Sequence, residues 1–321
     1  MLTNLGAIQK IKQLLSDSRR ILLVTHQNPD GDGLGAVSAL AQYLKKLNKD
    51  YVLFCKDEPP ANYQFIPLFH QLTADPAVFS RPYDLVIVMD AGDLKYAGID
   101  DLLQRDKFKT LINIDHHLSN NHFGDVNLVL PEASSASEII YQLFRLWKVT
   151  VDKDMATALL NGIVFDTGVF SNSGTTLPSL QAASHLLNIG ARHAQINKNI
   201  LRNKSLGLLK LWGRAFERLE YNPGYDLAFT VITLKDIVEC GAEPESASGL
   251  SNFFNELAGA KAVMVLVEQP DGAIKGSFRT TRDDVDVARL AKTLGGGGHQ
   301  KAAGFSVSGR LVYNEGRWFI D

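Results

Sequence analysis

"VTHQNPDGDGLG" (residues 24–35) continues the apolar run "ILLVTH" (21–26) into one histidine, two aspartates and three glycines. An unbroken apolar run of this length fits a strand of a parallel sheet buried on both faces. His26, Asp30 and Asp32 follow at its exit. An isolated carboxylate is costly to bury, so carboxylates clustered at a strand end require a cation or abundant water. "GLGAVSALAQYLKKLN" (33–48) has apolar residues at helical spacing and lysines late, where the helix dipole favours them. Gly31, Gly33 and Gly35 allow a tight path and close packing of that helix. In an extended loop, residues two apart face the same way, which would let Asp30 and Asp32 serve neighbouring ligand positions.

The pattern recurs along the chain. "YVLFC" (51–55), "DLVIVMD" (84–90) and "TLINIDHH" (110–117) read as further strands, and "ASEIIYQLFRLW" (136–147) and "DMATALLNGIVF" (154–165) as helices. Alternating strands and helices imply an α/β fold with a parallel sheet and right-handed crossovers, and such sheets bind ligands at the carboxyl ends of their strands. Three strands end in polar residues: His26, Asp90, and Asp115-His116-His117. Asp166, in "FDTG", joins them after a helix. Alone, "NPDGDG" is an ordinary turn and a strand-terminal aspartate an ordinary cap. Together, the carboxylates of Asp30, Asp32, Asp90 and Asp166 balance two divalent cations and leave room for a bridging hydroxide. Asp90, with two oxygens, is the natural bridge. The imidazoles of His26 and His116 complete the set. Oxygen and imidazole donors without thiolate favour Mn2+, with Mg2+, Co2+ or Zn2+ as alternatives.

Composition narrows the field. The chain has 321 residues, 45% hydrophobic and 21% charged, and a net charge of -2, which offers no global basic field for long nucleic acid. Cys55 and Cys240 are its only cysteines and lie in different halves, so a disulfide framework is not expected. The N-terminus lacks the apolar core of a signal peptide, and no apolar run approaches the ~20 residues that span a bilayer. A soluble cytoplasmic protein is expected, without membrane partners; a homodimer is left open. His70, His122, His185 and His193 have no motif context and read as structural or surface residues.

The length suggests two domains. From about Ser179 to Leu219 the chain reads as helical and connecting, with Leu208, Leu209, Trp212, Phe216 and Leu219 in one apolar stripe. "YNPG" (221–224) breaks it. "YDLAFTVIT" (225–233), "KAVMVLVEQ" (261–269) and "AIKGSFRT" (273–280) then read as strands, the last two joined by "PDG", and "DVARLAKTL" (286–294) as a helix running into "GGGGHQKAAGF". The expected division is 1–190, a helical linker 191–222, and a smaller α/β domain 223–321, with an active-site cleft between the domains. The glycine run offers backbone N–H groups beside His299 that can wrap an anion, and Arg279 can fork onto a phosphate.

Four motifs, in order, resemble those of the DHH family of phosphoesterases: "HQNPDGDG" (26–33), "VMDAGD" (88–93), "DHH" (115–117) and "FDTG" (165–168). "GSFRT" (276–280) and "GGGGHQKAAGF" (295–305) resemble the DHH-associated C-terminal domain. The family includes RecJ-type exonucleases, nanoRNases with pAp phosphatase activity and cyclic-dinucleotide phosphodiesterases. The resemblance implies a first metal held by His26, Asp30 and Asp90, and a second by Asp32, Asp90, His116 and Asp166. His117 would face the substrate phosphate and Asp115 would orient the neighbouring histidines. Arg279, His299, Gly297 and Gly298 would bind substrate, with Arg282 assisting. The expected substrates are RNAs of about two to five nucleotides, pApA-type dinucleotides and 3'-phosphoadenosine 5'-phosphate. The competing readings are a RecJ-like exonuclease, a cyclic-dinucleotide phosphodiesterase and a nucleotide-binding module that has lost catalysis. Gly33, Ala36, Phe165 and Val169 depart from residues frequent in the family, and bear on substrate preference. The chain ends 17 residues after Gly304 without a helical signal.

Overall fold

The computed structural model describes residues 4–200, 204–242, 249–254, 257 and 259–321. These fall into two compact units, Met1–Asn203 and Lys204–Asp321. In the first, α1 (Leu5–Asp17) leads into β1 (Arg20–Val24), α2 (Gly31–Lys46), β2 (Asp50–Phe54), β3 (Leu72–Thr73), β4 (Tyr83–Met89), β5 (Phe108–Asp115) and β6 (Val126–Val129). Four helices follow: α3 (Ala136–Trp147), α4 (Lys153–Asp166), α5 (Leu177–Ile189) and α6 (His193–Ile200). The six strands are all parallel, in the order β3-β2-β1-β4-β5-β6.

Apolar runs become central strands here because both faces of the sheet are covered. Ile21 and Leu23 of β1, with Leu85, Ile87 and Met89 of β4, pack into the core formed with the helices. Leu22, Val24, Val86 and Val88 point the other way, into a core closed by Phe79, Ala97 and Ile99 from the connecting segments. The strand order reverses direction between β1 and β4. Chain connections diverge there and open a crevice at the carboxyl ends of the strands.

The second unit begins with α7 (Leu206–Glu217) and β7 (Glu220–Asn222), then β8 (Leu227–Ile232), α8 (Leu234–Cys240), α9 (Leu250–Phe254), β9 (Ala262–Glu268) and β10 (Ala273–Arg279). It closes with α10 (Val287–Thr293), β11 (Gly297–His299), β12 (Ala302–Ser308), β13 (Leu311–Asn314) and β14 (Arg317–Ile320). Its mixed sheet runs β11-β12-β10-β9-β8-β7, with β8 and β9 parallel and the other pairs antiparallel. The stretch 191–222 is shared between the units. Ile196 of α6 belongs to the first core, whereas Leu211, Trp212 and Ala215 of α7 belong to the second. The chain end, which carries no helical signal, forms the β13–β14 hairpin.

The main local correction concerns "DGDG". This stretch is a helix start, not an extended loop: Asp30 is the N-cap of α2, and its side chain accepts from the N–H groups of Asp32 (2.9 Å) and Gly33 (3.2 Å). Among the described residues no helix is long and apolar enough to cross a membrane.

Candidate metal centre

Five segments meet at the carboxyl end of the first sheet. His26 lies two residues past β1 and is 3% exposed; its Nδ1 donates to the Gln27 carbonyl (2.7 Å), which leaves Nε2 for the centre. That Nε2 stands 3.6 Å from Asp30 Oδ1 and 3.5 Å from Asp90 Oδ2. On the other side, His116 Nε2 stands 3.5 Å from Asp90 Oδ1 and 3.1 Å from Asp166 Oδ2. The two oxygens of Asp90 therefore face different imidazoles. His26, Asp30 and Asp90 form one cluster whose ligand atoms lie within 4.8 Å of one another, and Asp32, His116 and Asp166 form another.

Asp30 and Asp32 part company because they sit on a helix turn. Asp30 caps it, and Asp32, in the first turn and fully buried, reaches across to α3. Its Oδ2 accepts from Ala136 N (2.6 Å) and its Oδ1 from Ser137 N (2.8 Å). A carboxylate at a helix N-terminus is favoured by the dipole and the free N–H groups. The absence of a side chain at Gly162 leaves room for this approach. A Cβ at Gly162 would lie 2.4 Å from Asp32 Oδ1, and one at Gly33 would lie 2.1 Å from Thr25 Oγ1. Gly33 thus suits this chain because Thr25 occupies the space. Phe165 likewise fits against Gly31, where a Cβ would meet its ring atoms at 2.8 Å.

Asp115 is a different case. It is fully buried, and its oxygens are already used: Oδ1 accepts from His117 Nδ1 (2.8 Å) and His116 N (2.8 Å), and Oδ2 from Asn120 Nδ2 (2.6 Å). Asn120 also donates to Asn113 Oδ1 (2.8 Å) and accepts from His122 N (2.7 Å). Asp115 groups with Asp90, His116 and His117 by distance, but its lone pairs point at donors. The sequence reading missed Asn120, Asn161 and Gly162. Asn161 donates to the Gly31 carbonyl (2.8 Å) and so fixes the turn that carries Asp30 and Asp32. Asparagines three and four residues from a metal motif carry no signal of their own.

The electrostatics are those of a site short of positive charge. Burial works against a charged His26 ring, but Asp30 and Asp90 outweigh it and push its pKa up to about 12. His116 is likewise opposed by burial and pushed up to about 12, chiefly by Asp166 and Asp90. Burial raises Asp166 to about 6 and raises Asp32 well above the carboxylate range, with the neighbouring carboxylates adding to both. Asp90 goes down despite its burial, because the imidazoles of His26 and His116 lie 3.5 Å from its oxygens. His117 is raised, mainly by its bond to Asp115. Protons thus hold the places that cations would take.

Two orphaned atoms fit a cation. Asp90 Oδ1 and His116 Nε2 are buried, and neither has a hydrogen-bond partner among the described residues. Asp90 also adopts φ 59°, in the left-handed region. An unsatisfied buried polar group costs about 1–3 kcal/mol, and a sparsely populated backbone conformation costs a similar amount. Such a combination persists where something else is gained. Imidazole and carboxylate oxygens are suitable donors for Mn2+, Mg2+, Co2+ or Zn2+.

The substrate residues expected in the second unit come together by register. Antiparallel pairing sets Arg279 of β10 opposite Ala302 of β12, and His299 of β11 opposite the same Ala302. Cross-strand partners project to one face, so Arg279 and His299 flank Ala302 about 10 Å apart. Arg279 is half-buried, and its Nη1 donates to the Phe278 carbonyl (2.8 Å). Gly297 and Gly298 are paired residues of β11 and not a free loop; Gly298 has φ 145°, and a Cβ there would lie 2.5 Å from Ala303 Cα. Arg282 pairs with Asp284 at 2.9 Å.

This fold and its strand-end cluster define a DHH-type domain followed by an accessory α/β domain. The chain belongs to the DHH family: the DHH family N-terminal domain matches residues 20–163, and the DHHA1 domain matches residues 228–315. Among its relatives is the bifunctional oligoribonuclease and PAP phosphatase NrnA of Thermus thermophilus, 29% identical over 90% of this chain and 84% of the relative. The protein of the same name from Bacillus subtilis is 29% identical over 89% of each chain. An exopolyphosphatase-related protein from Bacteroides fragilis has the same fold, with a TM-score of 0.87 and 22% identity over 95% of this chain and 92% of that one.

Proposed function

We propose that this protein is a metal-dependent phosphoesterase that hydrolyses short nucleotides: RNAs of about two to five nucleotides, pApA-type dinucleotides and 3'-phosphoadenosine 5'-phosphate. The observation that carries the reading is Asp90, whose two oxygens face two imidazoles, each 3.5 Å away and each within its own carboxylate cluster. The activities named for the Thermus and Bacillus relatives support it. His26, Asp30 and Asp90 hold one divalent cation, and Asp32, Asp90, His116 and Asp166 the other, with Mn2+ preferred. Such a pair supplies an activated water and neutralises phosphoryl charge when bound. His117, oriented by Asp115, places an imidazole toward the phosphate and stabilises its developing charge. Arg279 and His299, with the backbone of Gly297 and Gly298, form a second hold on the nucleotide.

The test is a panel of pAp, pApA, cyclic di-AMP and RNAs from two to thirty nucleotides, compared by kcat/KM with Mn2+. The expected result is highest efficiency on pAp or on the shortest RNAs and dinucleotides, abolished by chelation. Full activity in excess chelator would sink the metal reading. Equal efficiency on thirty-mers and dimers would favour a single-strand exonuclease instead.

A further inference from the structure

Tyr96 follows β4, the strand lying between β1 and β5 in the sheet. Its ring stacks nearly parallel on His26, with centroids 5.1 Å apart and planes at 15°. The same ring meets His117 edge-on, at 6.4 Å and 67°. One side chain from the middle strand's loop thus touches an imidazole delivered by each neighbouring strand. Hydrophobic burial does not account for this, because Tyr96 is 44% exposed. Its backbone is nonetheless pinned from several sides. Tyr96 N donates to Asp93 Oδ1 (2.6 Å), its carbonyl accepts from Gln27 N (3.1 Å), and the adjoining Ala97 and Ile99 are fully buried. Gln27 is the residue whose carbonyl receives His26 Nδ1–H, so ring and carbonyl belong to one assembly.

We infer that Tyr96 is a positioning residue: its ring sets the plane of His26, and hence the aim of Nε2, while limiting the swing of His117. An imidazole that binds a cation becomes electron-poor, and the electron-rich face of a phenol ring favours it there. Groups that orient a ligating histidine commonly carry a tenfold to hundredfold share of metal affinity. This inference rests on the metal-dependent reading above and deepens it.

The test is a titration of Mn2+ without substrate, followed by the electron paramagnetic resonance of free Mn2+, on wild type, Tyr96→Phe, Tyr96→Leu and Tyr96→Ala. Melting temperature and kcat on a dinucleotide and on a small artificial phosphodiester are measured alongside. Tyr96→Phe is expected to stay within about twofold of wild type. Tyr96→Ala is expected to weaken Mn2+ binding about 10–100-fold, and to lower kcat on both substrates alike even at saturating Mn2+. Tyr96→Leu retains apolar bulk but no ring, and is expected to follow Tyr96→Ala on Mn2+, which covers a poorly folding alanine variant. Unaltered Mn2+ affinity in Tyr96→Ala and Tyr96→Leu overturns the inference. So does a rise in KM confined to the nucleotide, which would assign the ring to base stacking. A wild type that binds no Mn2+ overturns the metal reading itself, and this inference with it.

Discussion

Asp84 and Asp90 stand at opposite ends of β4. Asp84, near its start, has every partner supplied by the chain: Lys109 Nζ at 2.7 Å, and the N–H groups of Arg19 (2.9 Å) and Arg20 (3.0 Å). Asp90, just past its end, is 2% exposed, sits at a positive φ and has one oxygen without a hydrogen bond among the described residues. Both carboxyls lie below the usual range. Asp84 is held at about 2, first by Lys109 and then by the two amides. Asp90 is lowered only because His26 and His116 outweigh its burial. The difference teaches where to look for function. A carboxylate satisfied by fixed cations and amides is part of the scaffold. One that is buried, strained and incompletely partnered is waiting for a group the chain does not contain.

The sharpest way to break this comparison is to remove Asp90. Asp90→Ala is expected to abolish turnover and to lose or loosen both cations, read by elemental analysis beside activity. His117→Ala is the control at the same end: full metal content with kcat lowered on the order of 10²–10³-fold, the scale for losing one preorganised group at developing charge. Equal metal loss in the two variants would contradict the role given to His117.

Arg279 extends the comparison to the second unit. Arg279→Ala is expected to cost about 1.5–3 kcal/mol, the range for a hydrogen bond to a charged group. The loss is expected in kcat/KM on short nucleotides, with metal content and hydrolysis of a small artificial phosphodiester nearly unchanged. Wild-type kcat/KM is expected to fall steeply beyond about five nucleotides, since a long-strand enzyme uses several salt-dependent phosphate contacts. A length ladder for wild type and Arg279→Ala checks both. Uniform damage at all lengths and on the small diester would remove Arg279 from the substrate.

A third experiment probes the floor of the centre. Gly→Ala in a helix interior ordinarily stabilises by up to about 1 kcal/mol. At Gly33 the sign is expected to reverse, because the new Cβ would meet the Thr25 hydroxyl at 2.1 Å. Overpacking of this kind costs about 1–3 kcal/mol. In a Thr25→Ala background the cost of Gly33→Ala is expected to shrink, leaving the 3.3 Å approaches to Asp90 Oδ2 and His26 Cδ2, and a double-mutant cycle by denaturant unfolding measures the coupling. Additive effects would show that the two residues do not compete for the same space.

The smallest effect belongs to Asp84. Its folded pKa of about 2 lies below its ordinary 3.8, so its contribution is present above pH 4 and disappears as pH falls toward 2. Lys109 is largely exposed, which keeps its share small in salt. Asp84→Asn is therefore expected to lower stability by no more than about 1 kcal/mol at pH 7, with the difference from wild type vanishing below pH 2. Mn2+ is expected to raise the Tm of wild type and Asp84→Asn equally, and that of Asp90→Ala much less.

Much of the centre was legible because strand exits leave a chemical trace. An apolar run cut off by His26, by Asp90 or by "DHH" is a one-dimensional record of a strand leaving a double-sided core. The strands themselves were visible for the same reason, and "ASEIIYQLFRLW" matches α3 from Ala136 to Trp147. Short or exposed pieces were not: β3, β6 and the β13–β14 hairpin have too few apolar residues to show a period. Arg279 and His299 were visible as residue types, but that they share a row depends on β12 pairing with both β10 and β11.

By itself the sequence determined the parallel α/β architecture, the strand ends where polar residues gather and the donor chemistry of the candidate cation sites. These follow from local periodicity and residue type. Tertiary structure alone decided which way each carboxylate turns. "DGDG" starts a helix, so Asp30 turns toward His26 while Asp32 turns toward α3 and His116. Asp115 is saturated by Asn120 and the two histidines, and Tyr96 leans on His26 and His117. The physical reason is range. Hydrophobic periodicity is written within a few residues. The direction of a side chain is set by hydrogen bonds and packing to segments as far away as the 104 residues between Asp32 and Ala136.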